Sequence, residues 1–307
     1  MTNNKGKIGY IAFGLNILSE IAFPELQKED FDYTSTDIEV KDLGFSDEQE
    51  SSICDNFVIN EDLVIFRVPN VAIFSVLNGN QITINKFKDV NEDQLRLYLL
   101  GTCMGTLLTQ RKYLSLHGSA IEINGKAYAI VGDSGAGKST LAAAFLHKGY
   151  KLISDDVIPV SFNEDNIPMV TPAYPQQKLW QQSLDNFGME SSNLRPVVDR
   201  ETKFAVPVVN QFCNEQLPLA GVIELVKTAD ENIQMEKVQN LARLQTLFTH
   251  TYRNFLLEPL GLFDWHFHTT TNLASKVDVY RLERPTTQFT AHDLADLILS
   301  TIKKEST

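Results

Sequence analysis

The sequence predicts an α/β (α+β) protein in which a P-loop domain follows a smaller β-rich N-terminal domain. Three observations carry this. Gly132-Asp-Ser-Gly-Ala-Gly-Lys-Ser139 is a glycine-rich loop lying between a strand-like run and a helical one. Two Asn-Gly pairs, at Asn78-Gly79 and Asn124-Gly125, each join two short apolar runs as a hairpin turn would. Before residue 91 the apolar runs are all of strand length. A boundary near Arg111 gives expected domains of 1–111 and 112–307.

The elements follow in order. Ile8–Phe13, Asp62–Arg67, Val71–Val76 and Gln81–Asn85 read as strands, and Ser46–Ser52 as an acidic, solvated loop. Asn91 can cap a helix whose first turn is acidic and whose broad apolar face carries Leu95, Leu97, Leu99, Leu100, Met104, Leu107 and Leu108 as far as Arg111. Leu114–Ile123 and Lys126–Val131 form the second hairpin, and its second strand runs into the glycine-rich loop. A helix from Lys138 to about His147 stops at Gly149, and a strand Tyr150–Ser154 ends at Asp155-Asp156. Beyond lie a helix Glu236 to about Leu257, with Leu241, Leu244, Leu247 and Phe248 on one face, a strand Val277–Leu282, and a closing helix Phe289–Lys303.

Composition bounds the function. The 307 residues are 43% hydrophobic, enough to bury a core. A formal net charge of −12 argues against general nucleic-acid binding and against docking on anionic membrane, both of which rest on basic surface. No apolar run is long enough to span a membrane, and the N-terminus has no secretory signal pattern. Cys54, Cys103 and Cys213 are widely separated and read as buried thiols in a reducing cytoplasm, not as a disulfide framework or zinc site. His147, His250, His266, His268 and His292 make no metal set, although His266 and His268 fall on one face if they lie on a strand. Trp180 and Trp265 read as packing residues.

The loop matches G-x-x-x-x-G-K-[ST] at every fixed position, so Gly132, Asp133, Ser134, Gly135, Ala136, Gly137, Lys138 and Ser139 are expected to hold ATP. Glycines let backbone N–H groups turn inward onto phosphate, and the following helix adds the positive end of its dipole. Lys138 would reach the β- and γ-phosphates, and the Ser139 hydroxyl would ligate Mg2+. Thr140, next in line, reads as a helix residue more than a second ligand. Asp155 and Asp156 are candidates for holding Mg2+ and for accepting a proton; a polar turn is the bland alternative.

From Leu116-His-Gly-Ser-Ala120 through the glycine loop to Ser154-Asp-Asp-Val157, the sequence resembles the catalytic domain of HPr kinase/phosphorylase. The resemblance implies a phosphate-loop domain related to that of phosphoenolpyruvate carboxykinase, and ATP-dependent Ser/Thr phosphorylation in a bacterial cytoplasm. It implies that His117 lies near the transferring phosphate and that one aspartate is the general base. Asp155 is taken here as the base and Asp156 as the metal-side acid, beside Ser139. Tyr10–Leu15 with Ser19-Glu20 and Pro24–Leu26, Leu99–Arg111, and Tyr174–Trp180 look like a narrower group, the HPr-kinase-like enzymes of lasso-peptide biosynthesis. That likeness implies a precursor peptide as partner and its C-terminal serine as acceptor. HPr kinases carry a glutamate about 25 residues past the aspartate pair; here Lys178-Leu-Trp-Gln-Gln182 contains no acid. Their C-terminal Pro-Gly-Arg stretch is also missing.

Lys178, Arg200, Lys203 and Arg253 are candidate phosphate contacts, each otherwise an ordinary surface cation. The leading expectation is a peptide Ser/Thr kinase. HPr itself as acceptor, a small-molecule kinase or carboxykinase-like enzyme, and a protein in which ATP hydrolysis only drives a conformational change all stay open, as does homo-oligomerisation.

Overall fold

The computed structural model describes residues 6–44, 57–197 and 202–305; the expected loop at 46–52, Cys54 and Arg200 lie outside them. The chain forms two compact units. One comprises Met1–Tyr113, Val197–Glu201 and Phe255–His266; the other comprises Leu114–Pro196, Thr202–Asn254 and Phe267–Thr307.

The first unit is built on an eight-stranded sheet. Its strands are β1 (Ile8–Ala12), β2 (Leu15–Ser19), β3 (Gln27–Lys28), β4 (Ile38–Asp42), β5 (Phe57–Ile59), β6 (Leu63–Val68), β7 (Ala72–Leu77) and β8 (Gln81–Lys86). Their order is β3-β1-β2-β4-β8-β7-β6-β5. The expected hairpin at Asn78-Gly79 joins β7 to β8, with both residues at positive φ. The Asn91 side chain accepts the N–H groups of Asp93 and Gln94, capping α1 (Glu92–Tyr98). One π-type turn, Leu99–Cys103, leads into α2 (Met104–Gln110), and Leu95, Leu99, Leu107 and Leu108 are fully buried. The late segment contributes Leu256 and Leu260, which are buried with Val64 and flanked by Phe57, Ile59 and Leu262.

The second unit holds a seven-stranded sheet. Its strands are β9 (Leu114–Ile123), β10 (Lys126–Val131), β11 (Lys151–Phe162), β12 (Pro168–Val170), β16 (Leu217–Thr228), β17 (Gln234–Lys237) and β18 (Asp278–Pro285). Between β12 and β16, β13 (Gln176–Trp180), β14 (Arg195–Pro196) and β15 (Lys203–Pro207) form a separate three-stranded sheet. The helices are α3 (Lys138–His147), α4 (Gln181–Asn186), α5 (Leu241–Thr249), α6 (Phe263–Lys276), within which the division between units falls, and α7 (Ala291–Glu305). Period-two alternation sorts the sheet side chains onto two faces. Ile121, Tyr128, Ile130, Ile223, Leu225 and Leu282 pack with Leu141 and Phe145 of α3 and Leu294 and Ile298 of α7. Ala120, Ala129, Val131, Val222 and Val279 pack with Leu247 of α5 and Leu273 of α6. The sheet is thus covered by helices on both faces, as its apolar strands require.

Three expectations are corrected. The strand expected to end at Asp155-Asp156 runs on to Phe162. Its long partner β9 keeps hydrogen bonding past the pair, with Asp155 opposite Ser119, Asp156 opposite Gly118 and Val157 opposite His117. A register shift near Leu152 and a left-handed φ of 79° at Asp156 absorb the distortion. The helix expected over Glu236–Leu257 is only Leu241–Thr249, because Gln234–Lys237 pairs with β18 and Asn240 turns at φ 54°. Leu247 is buried on it, but Leu241 is 78% exposed and Phe248 is exposed too. Finally, His266 and His268 lie on a helix, where two residues apart is not one face: His266 is buried and His268 exposed.

Candidate active site

The β9–β10 hairpin, turning at Asn124-Gly125 with both residues at positive φ, brings the glycine loop beside the aspartate pair. The loop leaves β10 at Gly132, at φ 147°, where a Cβ would stand 2.5 Å from the Leu225 carbonyl. No other residue fits so close to β16 without displacing it. Gly135 and Gly137 also hold positive φ, curling the loop into the start of α3. Lys138 folds back over the loop and donates to the carbonyls of Gly132 at 2.7 Å and Asp133 at 3.0 Å. Burial pulls its ammonium below the ordinary lysine range, and Asp156 and Asp155 oppose that shift.

Asp155 is buried and tied three ways. One carboxylate oxygen accepts from Ser119 Oγ at 2.6 Å and from Ser139 Oγ at 3.0 Å; the other accepts the Lys178 backbone N–H at 2.9 Å. Asp156 points elsewhere. Its carboxylate meets Lys178 Nζ at 2.9 Å and lies 4.0 Å from His117 Nε2. Burial pushes the Asp156 carboxyl up, but the Lys178 ammonium, helped by His117 and Lys203, outweighs it and holds the group well below the usual carboxylate range. Lys178 is not the ordinary surface cation of the alternative reading: it is buried, and although burial disfavours its charge, Asp156 holds the ammonium above its ordinary pKa. Burial lowers the His117 pKa, against the pull of Asp156.

Gly118 explains the His-Gly pair that precedes the hairpin. A Cβ there would lie 2.1 Å from the Ile130 carbonyl, so only glycine lets β9 carry His117 to Asp156 at this approach to β10. Thr140, inside α3, bonds Ser183 through their hydroxyls at 2.8 Å. Lys203 sits over the Trp180 ring at 5.6 Å, and Trp180, read from sequence as a packing residue, is exposed. Arg253 lies over the Tyr252 ring at 5.7 Å, with φ at 49°.

Four further residues complete the surroundings. Tyr252, buried, sets its ring 5.7 Å from that of His117, and burial and Asp156 push its phenol pKa up. The backbone N–H of His117 donates to the His250 carbonyl at 2.7 Å. The His250 ring meets Glu224 at 3.0 Å, and Arg281 Nη2 meets the other Glu224 oxygen at 3.1 Å. The hydrogen bond to His250, joined by Arg281, holds the Glu224 carboxyl below its ordinary pKa despite burial. These residues come from segments without motifs, and nothing in their spacing marks them. Cys103 and Cys213 are buried and form no disulfide. Among the described residues no cluster of His, Cys, Asp and Glu suits a metal by itself, and no helix is long and apolar enough to cross a membrane.

A glycine loop between strand and helix, with a carboxylate on its serine, defines the class: a P-loop protein of mixed α and β structure. Residues 108–179 match the family described as HPr Serine kinase C-terminal domain, so the resemblance read from Leu116 to Val157 holds at the level of that domain. The chain is 37% identical over 92 residues to the HPr kinase/phosphorylase of Azoarcus sp. (strain BH72), covering 30% of this chain and 25% of that protein. It is 34% identical over 110 residues to that of Aromatoleum aromaticum, covering 36% and 26%. The chain thus spans about a quarter of the length of these relatives. The solved Hpr(Ser) kinase/phosphatase of Coxiella burnetii aligns over 62% of this chain and 95% of its own, at 16% identity and a TM-score of 0.34, too low to carry a fold assignment.

Proposed function

We propose that the protein is an ATP-dependent kinase that transfers the γ-phosphoryl group to a serine hydroxyl of a peptide. The observation that supports this most is the division of labour in the aspartate pair: one carboxylate on the loop serine, the other beside a histidine and a buried lysine. The loop residues from Gly132 to Ser139 fit a triphosphate, since three of their glycines take the positive φ that turns N–H groups inward. Ser139 and Asp155 fit Mg2+, both offering hard oxygen donors already in contact. Bound MgATP supplies the phosphoryl group and the cation that neutralises its oxygens.

The remaining roles belong to side chains. Lys138 leaves its carbonyl partners and holds the phosphate oxygens as charge spreads over them. Asp155 orients Ser139. Asp156 accepts the hydrogen bond of the acceptor hydroxyl and takes its proton as the new O–P bond makes that hydroxyl acidic. This exchanges the two aspartate roles expected from sequence, because Ser139 contacts Asp155 and not Asp156. Lys178 fixes Asp156, and His117 lies 4.0 Å from the same carboxylate.

For the acceptor, the proposal is a serine at or near the C-terminus of a short lasso-type precursor peptide. Its support is the likeness of Tyr10–Leu15 with Ser19-Glu20 and Pro24–Leu26, of Leu99–Arg111 and of Tyr174–Trp180 to that group, together with Lys178 in the stretch where HPr kinases carry an acid. A free peptide end can enter such a cleft without remodelling a folded partner, although ordering it costs entropy. The names of the relatives favour a second reading, with HPr as acceptor. Mass spectrometry after incubation with MgATP decides between them, using a precursor peptide, the same peptide without its terminal serine, and HPr. Phosphate on the intact peptide alone is expected, and Lys138→Ala is expected to abolish it. Phosphate on HPr alone gives the second reading, and phosphate on neither favours a small-molecule acceptor.

A further inference from the structure

The three-stranded sheet β13-β15-β14 has one face against the core and one turned away from it. Leu179 of β13 and Val206 of β15 are buried in the core around Leu141 and Phe145 of α3, and Phe204 packs against the same cluster. Strand alternation sends the residues between them to the other face. Antiparallel register sets Lys178 opposite Ala205, Trp180 opposite Lys203, and Arg195 opposite the same Ala205. Directly opposed residues share a face, so Lys178, Lys203 and Arg195 stand with Trp180 on the face away from the core. Ala205 carries only a methyl group, so nothing of the sheet itself rises between Lys178 and Arg195. In a chain with a formal net charge of −12, three cations on one small face are a local reversal of sign.

This face is continuous with the aspartate pair. Lys178 is buried and reaches from it to Asp156 at 2.9 Å. Lys203 is half-buried one step along the sheet, while Arg195 and Trp180 are exposed. The Lys203 ammonium lies 5.6 Å over the Trp180 ring, which favours one position of an otherwise flexible side chain. Its charge is felt at both Asp156 and Lys138, lowering the pKa of each. In a serine that ends a chain, the hydroxyl and the carboxylate belong to one residue. A hydroxyl placed at Asp156 therefore brings the carboxylate within a side chain's reach, where Asp156 itself repels it unless a cation stands by. Lys178 is committed to Asp156, so the cations placed to meet that carboxylate are Lys203 and, further out, Arg195.

We propose that this basic face is the acceptor subsite for a free C-terminal carboxylate, with Lys203 as its principal contact and Arg195 as an outer guide. The proposal rests on the kinase reading above and deepens it. The test measures initial rates of phosphorylation by the whole protein with MgATP, using the precursor peptide as its free acid and as its C-terminal amide. In the unaltered protein the amide is expected to lose about tenfold or more in kcat/KM, mainly through KM, as removal of one charged hydrogen bond does. In Lys203→Ala, acid and amide are expected to differ by less than about twofold, and Lys203→Arg, which keeps the charge, is expected to restore the preference. Each ratio is taken within one variant, so a partial loss of folded protein cancels from it. A lysine that instead holds ATP phosphates slows both peptides alike, and the preference then survives Lys203→Ala. That result overturns the proposal, as does loss of all turnover in Lys203→Ala, or equal use of acid and amide by the unaltered protein. Each of these leaves the kinase reading standing, because the unaltered protein still phosphorylates the peptide. Phosphate on neither form from the unaltered protein overturns the peptide acceptor as well.

Discussion

Asp156 occupies a left-handed backbone conformation inside a strand, a position that costs a non-glycine residue free energy on the order of 1–3 kcal/mol. Its carboxylate is nonetheless fixed between Lys178 and His117, so the surrounding contacts outweigh that cost. The two aspartates should therefore separate kinetically. Asp155→Asn is expected to weaken Mg2+-dependent ATP binding, because it alters the partner of Ser139. Asp156→Asn, which suits the same backbone, is expected to leave ATP binding within about threefold and to lower kcat by about two orders of magnitude or more. Titration calorimetry beside steady-state kinetics checks the split; the opposite pattern restores the roles expected from sequence. At this scale the glycine loop, Lys138, Ser139 and the aspartate pair were legible, since their types and spacing are local. Lys178 was visible only as a cation, because its meaning depends on Asp156 across the fold. Glu224, His250 and Tyr252 were not legible, as they reach the site from segments whose own sequence carries no phosphate-binding pattern.

At the scale of elements, the approach of β9 to β10 is set by one missing side chain. Gly118→Ala puts a methyl group into the Ile130 carbonyl, and backbone rather than a flexible side chain must give way. The expected result is a loss of about 1–3 kcal/mol in stability, in the range of overpacked core positions, with His117 displaced from Asp156. Denaturant titration measures the first, and a drop in kcat in the folded variant measures the second. A variant as stable and active as the parent would show that the hairpin has slack there. Turn and cap chemistry is local, so both Asn-Gly hairpins and the Asn91 cap were readable from residue order. The failures are pairing effects. β11 continues past its aspartates because β9 is long enough to hold it, and Gln234–Lys237 is a strand because β18 offers an edge. An exposed Leu241 gave a false helical stripe, as periodicity counts a residue as core whether or not anything covers it.

At the scale of the molecule, the first unit draws on widely separated stretches of the chain. Leu256 and Leu260 are buried with Val64 and beside Phe57 and Ile59, residues that no local pattern links to them. A fragment of residues 114–307 should therefore expose these leucines and aggregate. Leu256→Ser with Leu260→Ser is expected to make that fragment more soluble, while the same pair lowers the stability of the whole chain by several kcal/mol, as loss of buried leucines does, on the order of 2–5 kcal/mol each. Size-exclusion chromatography and thermal unfolding test both halves of the statement; a monomeric, soluble unaltered fragment would contradict it. The same reach along the chain sets a timetable on the ribosome. The β-sheet of residues 8–86 is synthesised first, and the leucines that finish its core, Leu256 and Leu260, emerge only much later. At about 5–20 residues per second, the sheet waits roughly ten to thirty seconds with the apolar patch around Val64 uncovered. That interval is when a nascent chain of this protein has most need of a chaperone.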